Sequence, residues 1–164
     1  MSKLDYEFIQ AKCYQKGYPN RRIEGIVLHS TDGHKAGDIA TLTGTDRNVS
    51  VHWYVAKDGS IYHFVADDDI AYHAGEVLDP SHWSNRYTVG IETEHMDGEE
   101  NWTQVQLTAL ARLIVALRRK HGNIPIKGHA SICKPVGRKE DPKDFPWDKF
   151  SDMVKSESNG DWYV

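Results

Sequence analysis

Two stretches far apart in this chain carry residue types that can do chemistry. Lys127-Gly128-His129-Ala130 and Gly137-Arg138-Lys139-Glu140-Asp141-Pro142 place a histidine and an aspartate on either side of a short basic loop, with Lys139 two residues before the aspartate. Far upstream, His29 closes the apolar run Ile26-Val27-Leu28. Two imidazoles and one carboxylate are the ligand set of an open zinc site, which keeps its fourth position for water. That set points first to hydrolysis. An amide carbonyl is a poor electrophile and water a poor nucleophile at neutral pH; zinc polarises the first and lowers the pKa of the second from about 15.7 towards ~7. Taken singly, any of the nine histidines is more often a surface or hydrogen-bonded residue than a ligand. The pairing of two at predicted strand ends, where α/β sheets collect ligands, shifts the balance.

The bulk numbers leave room for such a site and exclude other classes. The 164 residues suit one domain with its own core. With 39% hydrophobic and 27% charged residues, the composition is that of a globular chain rather than a disordered one. A net charge of -4 gives no basic footprint for nucleic acid or an anionic membrane. No apolar run approaches bilayer length, and the start, Met1-Ser2-Lys3-Leu4-Asp5, lacks the apolar stretch of a secretory signal. The expectation is a cytoplasmic monomer with no nucleic-acid or membrane partner. Cys13 and Cys133 are too few for a disulfide framework. They read as reduced, mostly buried thiols, with a substitute metal ligand as the sharper reading of Cys133.

The elements that must position the site read as follows. Tyr6 to Gln15 has Phe8, Ile9 and Cys13 on the inner face of a short helix, broken by Gly17-Tyr18-Pro19-Asn20. Ile23 to His29 is a buried strand, and Asp38 to Leu42 a short helix. Val51 to Ala56 and Ser60 to Val65 flank Asp58-Gly59 as a hairpin. Ala66 to Trp83 is a long loop, and Tyr87 to Glu94 a strand. Gln104 to His121 is the best helix: Thr103 and Gln106 form a capping-box pattern, Leu107, Leu110, Ala111, Ile114 and Leu117 share one stripe, and Gly122 stops it. Ile124 to His129 is a short strand. Strands interleaved with helices imply an α/β fold with a central mixed sheet and helices on both faces. Glu92 and Glu94 share a strand face by alternation, so either can serve a cleft.

Five blocks in order now carry a family resemblance. Ile26-Val27-Leu28-His29-Ser30-Thr31, the hairpin Val51-His52-Trp53-Tyr54-Val55 with Asp58-Gly59-Ser60-Ile61-Tyr62, Ala71-Tyr72-His73-Ala74-Gly75, Thr88-Val89-Gly90-Ile91-Glu92-Thr93-Glu94, and Gly128-His129 to Asp141-Pro142 with Phe145-Pro146-Trp147 resemble type 2 N-acetylmuramoyl-L-alanine amidases. That family includes phage endolysins and bacterial recycling enzymes and shares a fold with peptidoglycan recognition proteins. The resemblance implies Zn2+ held by His29, His129 and Asp141. It implies Glu92 as general base, Lys139 as the cation facing developing negative charge, and His73 in the substrate cleft. It also implies peptidoglycan or a muropeptide as the partner. Two features depart from the family pattern. The interval from His129 to Asp141 is longer than in the recycling enzymes, and the position where some phage members carry a cysteine ligand holds Asp141, leaving Cys133 out of register.

Three functions compete. The first is a zinc amidase cutting the bond between N-acetylmuramic acid and L-alanine, of endolysin type and acting on the wall after release, or of cytosolic recycling type. The second is a muropeptide-binding module that does not cut. The third is a zinc peptidase acting within the stem peptide. The complete set of His29, His129, Asp141 and Glu92 favours catalysis. Residues 1–155 read as the catalytic domain. Residues 156–164 read as a polar tail, either the start of a linker to a wall-binding module or a segment whose Trp162 packs back on the domain. The remaining histidines, His34, His63, His82, His95 and His121, read as surface residues, and His52 as a residue holding the sheet or a ligand in place.

Overall fold

The computed structural model describes residues 2–98 and 101–164. Its strands are β1 (Ser2–Lys3), β2 (Glu7–Phe8), β3 (Tyr14–Gln15), β4 (Gly25–Ser30), β5 (Trp53–Val55), β6 (Ile61–His63), β7 (Ile70–Ala71), β8 (Thr88–Thr93), β9 (Ile126–Gly128) and β10 (Trp162–Tyr163). Its helices are α1 (Lys35–Thr43), α2 (Pro80–Trp83), α3 (Gln104–His121), α4 (His129–Ile132) and α5 (Trp147–Glu157). The main sheet has the order β2-β6-β5-β8-β4-β9. It is parallel except for the β5–β6 hairpin. This is the mixed sheet expected from the alternation of strands and helices.

Side-chain alternation along the central strands sorts the sheet into two faces. Ile26 and Leu28 of β4, Trp53 and Val55 of β5, and Val89 and Ile91 of β8 point to one side. There they pack against Leu107, Leu110, Ala111, Ile114 and Leu117 of α3 and Phe150 and Val154 of α5. The residues between them face the other way. Val27 meets Ala74, Val77, Trp83 and Ile132, and Tyr54 meets Leu42, Val51 and Phe64. The first face is largely apolar. The second carries His29 and Glu92, one step beyond Val27 and Gly90 on the same parity.

α3 has the bounds expected from its periodicity. Thr103 Oγ1 accepts from the Gln106 N–H at 3.2 Å, but the Gln106 side chain does not close the capping box. Its Nε2 donates instead to the carbonyls of Val55, at 3.2 Å, and Glu94, at 2.7 Å, pinning the helix to the ends of β5 and β8. Gly122 ends the helix at φ 92°.

The N-terminal segment is not the expected helix. The Ile9 N–H donates to the His63 carbonyl at 3.0 Å and the Ala11 N–H to Phe64 at 2.8 Å, so the chain runs extended beside β6. Phe8, expected inside, is 51% exposed. The stretch 66–83 contains β7 and α2 rather than a plain loop. In the segment set apart at 156–164, Trp162 lies under the Arg112 guanidinium, 4.4 Å from the ring centroid. Its Nε1 donates to Glu157 at 2.9 Å, and β10 runs parallel to β1.

Three histidines expected at the surface are held elsewhere. His95 is buried and stacks on Trp102 at 4.1 Å. His63 stacks on Trp53 at 3.8 Å. His121 meets Asp67, a carboxylate 1% exposed. Asp67 also accepts from Trp53 Nε1 at 3.1 Å and Lys120 Nζ at 2.9 Å. Burial works to raise its pKa, yet His121, His63 and Lys120 hold it well below the usual carboxylate range. The end of α3 is thereby tied to the chain leaving β6. Asp67→Ala leaves the Trp53 and His121 N–H groups without an acceptor and should cost roughly 2–4 kcal/mol. Chemical denaturation measures this; a loss below about 1 kcal/mol would show that the tie is not structural.

Candidate active site

The sheet register builds the site before any loop is considered. His29 and Glu92 are Cα partners across the parallel β4–β8 pair and project to the same face. His129 follows β9 directly, on the other side of β4, as the first residue of α4. It therefore starts a helix rather than ending a strand. The chain returns at Asp141, whose carbonyl accepts from the Ala130 N–H at 2.9 Å. Four elements thus bring His29, Glu92, His129 and Asp141 together. A cleft of about 380 Å³ opens above them and is also lined by His73, Lys139, Tyr72, Arg47 and Asp38.

Three atoms converge at the floor. His29 Nδ1 lies 3.1 Å from His129 Nδ1 and 3.1 Å from Asp141 Oδ2, and the latter two are 3.3 Å apart. His129 Nε2 lies 2.9 Å from the Ala74 carbonyl. A carbonyl only accepts, so Nε2 carries the proton and Nδ1 offers a lone pair. Asp141 Oδ2 is an acceptor as well. One proton on His29 cannot satisfy two acceptors that also face each other, whereas a cation at the centre satisfies all three. Ligands ~2.0–2.1 Å from a tetrahedral zinc are about 3.3 Å from one another, close to the spacings found. Among the described residues, these three are the one group of histidine, cysteine and acidic side chains placed to share an ion. The donor set and its spacing both fit zinc. Burial lowers the pKa of His29, against the pull of Asp141, and keeps the ring neutral, the form that can ligate.

Around this floor the electrostatics are strongly perturbed. Burial pushes the Glu92 carboxyl well above its ordinary value; Asp141 and Asp38 add to the rise and Lys139 opposes it. The Lys139 side chain is exposed at the rim. His73, expected in the substrate cleft, does line it, but its Nδ1 also lies 3.0 Å from His29 Nε2. Burial and the neighbouring imidazoles hold its pKa well below the usual value. His52 is fully buried and accepts from the Gly90 N–H at 3.0 Å. Burial and Arg21 lower its pKa to about 3.

Glu94 and Cys133 are structural. Glu94 accepts from the Lys35 N–H at 3.0 Å and the Lys57 N–H at 2.8 Å, supplying the cap that His34 does not give α1. It is buried. Cys133 is buried, with its thiol toward the carbonyls of Ala130 and Pro135 at 3.6 Å; it closes the 130–139 loop and is not among the converging ligands.

Sequence reasoning missed the residues that hold the backbone around His73 and Ala74. Asn85 Oδ1 accepts from the His73 and Ala74 N–H groups at 3.1 and 2.8 Å. Arg138 donates to the Ala74 and Glu76 carbonyls at 3.3 and 2.9 Å, so one guanidinium steadies the carbonyl that orients His129. No local pattern marks these residues, because each partner is remote in sequence.

The family described as N-acetylmuramoyl-L-alanine amidase matches residues 19–144. The 1,6-anhydro-N-acetylmuramyl-L-alanine amidase AmpD of Citrobacter freundii is 32% identical over 115 residues, covering 68% of this chain and 60% of that protein. The crystal structure of a selenomethionine AmpD derivative superposes with a TM-score of 0.80 at 26% identity, covering 91% of this chain and 94% of its own. The endolysin N-acetylmuramoyl-L-alanine amidase LysCS of Clostridium intestinale superposes with a TM-score of 0.66 at 26% identity, covering 93% of each chain.

Gly90 lies beneath His73. A Cβ there would stand 2.5–2.7 Å from three atoms of the His73 ring. Gly90→Ala should displace the ring and destabilise the fold by about 1–3 kcal/mol. Thermal melting reads the loss, and an unchanged melting temperature would mean that the ring has room the packing does not show.

Proposed function

Because this chain belongs to the N-acetylmuramoyl-L-alanine amidase family, we propose that it hydrolyses the amide between N-acetylmuramic acid and L-alanine in peptidoglycan using zinc held by His29, His129 and Asp141. The observation that carries this reading is the convergence of those three acceptor atoms at 3.1–3.3 Å beside the Glu92 carboxylate. Zinc bound there supplies a Lewis acid that polarises the scissile carbonyl and makes water more acidic.

The chain's own groups do the rest. His29, His129 and Asp141 fix the geometry and leave one side open to the cleft. Glu92, next to His29 in register, takes the proton of the attacking water and returns it to the leaving amine nitrogen. Burial suits it to both steps: a carboxylate with a raised pKa is a stronger base, and its acid form can donate. Lys139 at the rim faces the oxygen on which negative charge grows. Arg47 and Tyr72 line the approach. A chain that only bound muropeptide would need neither the full ligand set nor a half-buried carboxylate of raised pKa on the neighbouring strand.

Two substrates fit the family. The likeness to LysCS supports the wall polymer of an endolysin, and we retain that reading. The closer fit to AmpD favours a soluble anhydro-muropeptide. Comparing digestion of purified wall with that of anhydro-muropeptides separates them: mass spectrometry should show new free L-alanine amino termini on the polymer. Conversion confined to the soluble compound would assign the recycling reaction. No helix among the described residues is long and apolar enough to cross a membrane.

Removing metal with a strong chelator should abolish hydrolysis, and zinc should restore it; activity that persists in chelator contradicts the metal reading. Glu92→Gln should keep zinc and fold while lowering kcat about 10²–10⁴-fold. Lys139→Ala should lower it about 10²–10³-fold. Near-normal turnover in either variant would reassign that role.

A further inference from the structure

His29 offers a bare Nδ1 only if its proton sits on Nε2, yet Asp141 Oδ2 and His129 Nδ1, each 3.1 Å away, draw that proton to Nδ1, so the opposing pull must come from the Nε2 side. The partner of Nε2 is His73 Nδ1 at 3.0 Å, and two facing imidazole nitrogens bond equally well with the proton on either. The choice therefore passes to the far side of His73. There Nε2 lies 3.3 Å from Thr88 Oγ1, a hydroxyl with one proton and two lone pairs. The same Oγ1 is 3.0 Å from the Ser84 carbonyl oxygen, which can only accept. The Thr88 proton goes to Ser84, and the hydroxyl meets His73 with a lone pair. His73 then donates from Nε2, its Nδ1 becomes an acceptor, and the His29 proton is drawn to Nε2.

We propose that Thr88, oriented by the Ser84 carbonyl, is a positioning residue that sets the tautomers of His73 and His29 in series and so presents a bare His29 Nδ1 to the metal. Thr88 is fully buried and touches neither the ligand cluster nor the open cleft. The chain of bonds is held from the side as well: Asn85 fixes the His73 backbone, and the absence of a side chain at Gly90 lets the ring lie flat on the sheet. With the protons reversed, His29 Nδ1–H would point at Asp141, 3.1 Å away, and that proton would have to leave before a cation could enter.

This inference rests on the zinc reading, and its test keeps the two apart. Zinc affinity is measured by chelator competition on the whole chain, wild type against Thr88→Val and Thr88→Ser. Valine keeps the shape and removes the hydroxyl; it should weaken binding ~10–100-fold, the usual effect of losing a group that orients a ligand, and serine should restore it. A wild type that binds no zinc overturns the zinc reading itself. A wild type that binds tightly with an equally tight Thr88→Val overturns only the role of Thr88. Should the valine variant fail to fold, nitrogen-15 shifts of His73 in metal-free wild type decide the point. A protonated Nε2 is the expected result; a protonated Nδ1 overturns the proposal.

Discussion

Three metal-ligand-type atoms aimed at one point constrain the rest of this structure. His29 Nδ1, His129 Nδ1 and Asp141 Oδ2 stand at about hydrogen-bond distance from one another, and the proton that His129 could have supplied is committed to the Ala74 carbonyl. Acceptors held this close repel unless positive charge lies between them. The fold must therefore hold them against that repulsion, and three polar groups near the cleft serve this end. Asn85 fixes the strand-like segment at 73–74. Arg138 holds the same segment from above. The Asp141 backbone is bonded to the start of α4.

The sheet does the coarse positioning. A one-residue slip of β4 against β8 would send His29 into the apolar face beside Ile91 and place an aliphatic side chain at the site. The core against α3 prevents it, because Ile26, Leu28, Val89 and Ile91 are all committed there. Burial then acts twice on the chemistry. It favours the neutral forms of His29 and His73, and it raises Glu92 well above its ordinary value, which makes its carboxylate a stronger base.

Much of this was legible from residues alone. The apolar run ending at His29, the alternation from Tyr87 to Glu94 and the stripe of α3 each depend on local periodicity, and each element formed within a residue or two of expectation. That His29, His129 and Asp141 belong together was legible through residue type and the order of the five blocks, and the fold brings them to one point. The failures share one physical cause, a partner far away in sequence. The segment 6–15 was given a helix because Phe8, Ile9 and Cys13 suggested an inner face; it is extended because its N–H groups reach carbonyls beyond β6. His63, His95 and His121 looked like surface residues because nothing near them in sequence announces Trp53, Trp102 or Asp67.

The most direct measurement is a zinc-edge anomalous difference map from crystals of the protein grown with zinc. The account predicts a peak about 2.0–2.2 Å from His29 Nδ1, His129 Nδ1 and Asp141 Oδ2 at once, with Glu92 beside it and Cys133 outside the coordination sphere. Zinc bound elsewhere in the crystal with none at this position, or a peak on the Cys133 sulfur, would contradict it.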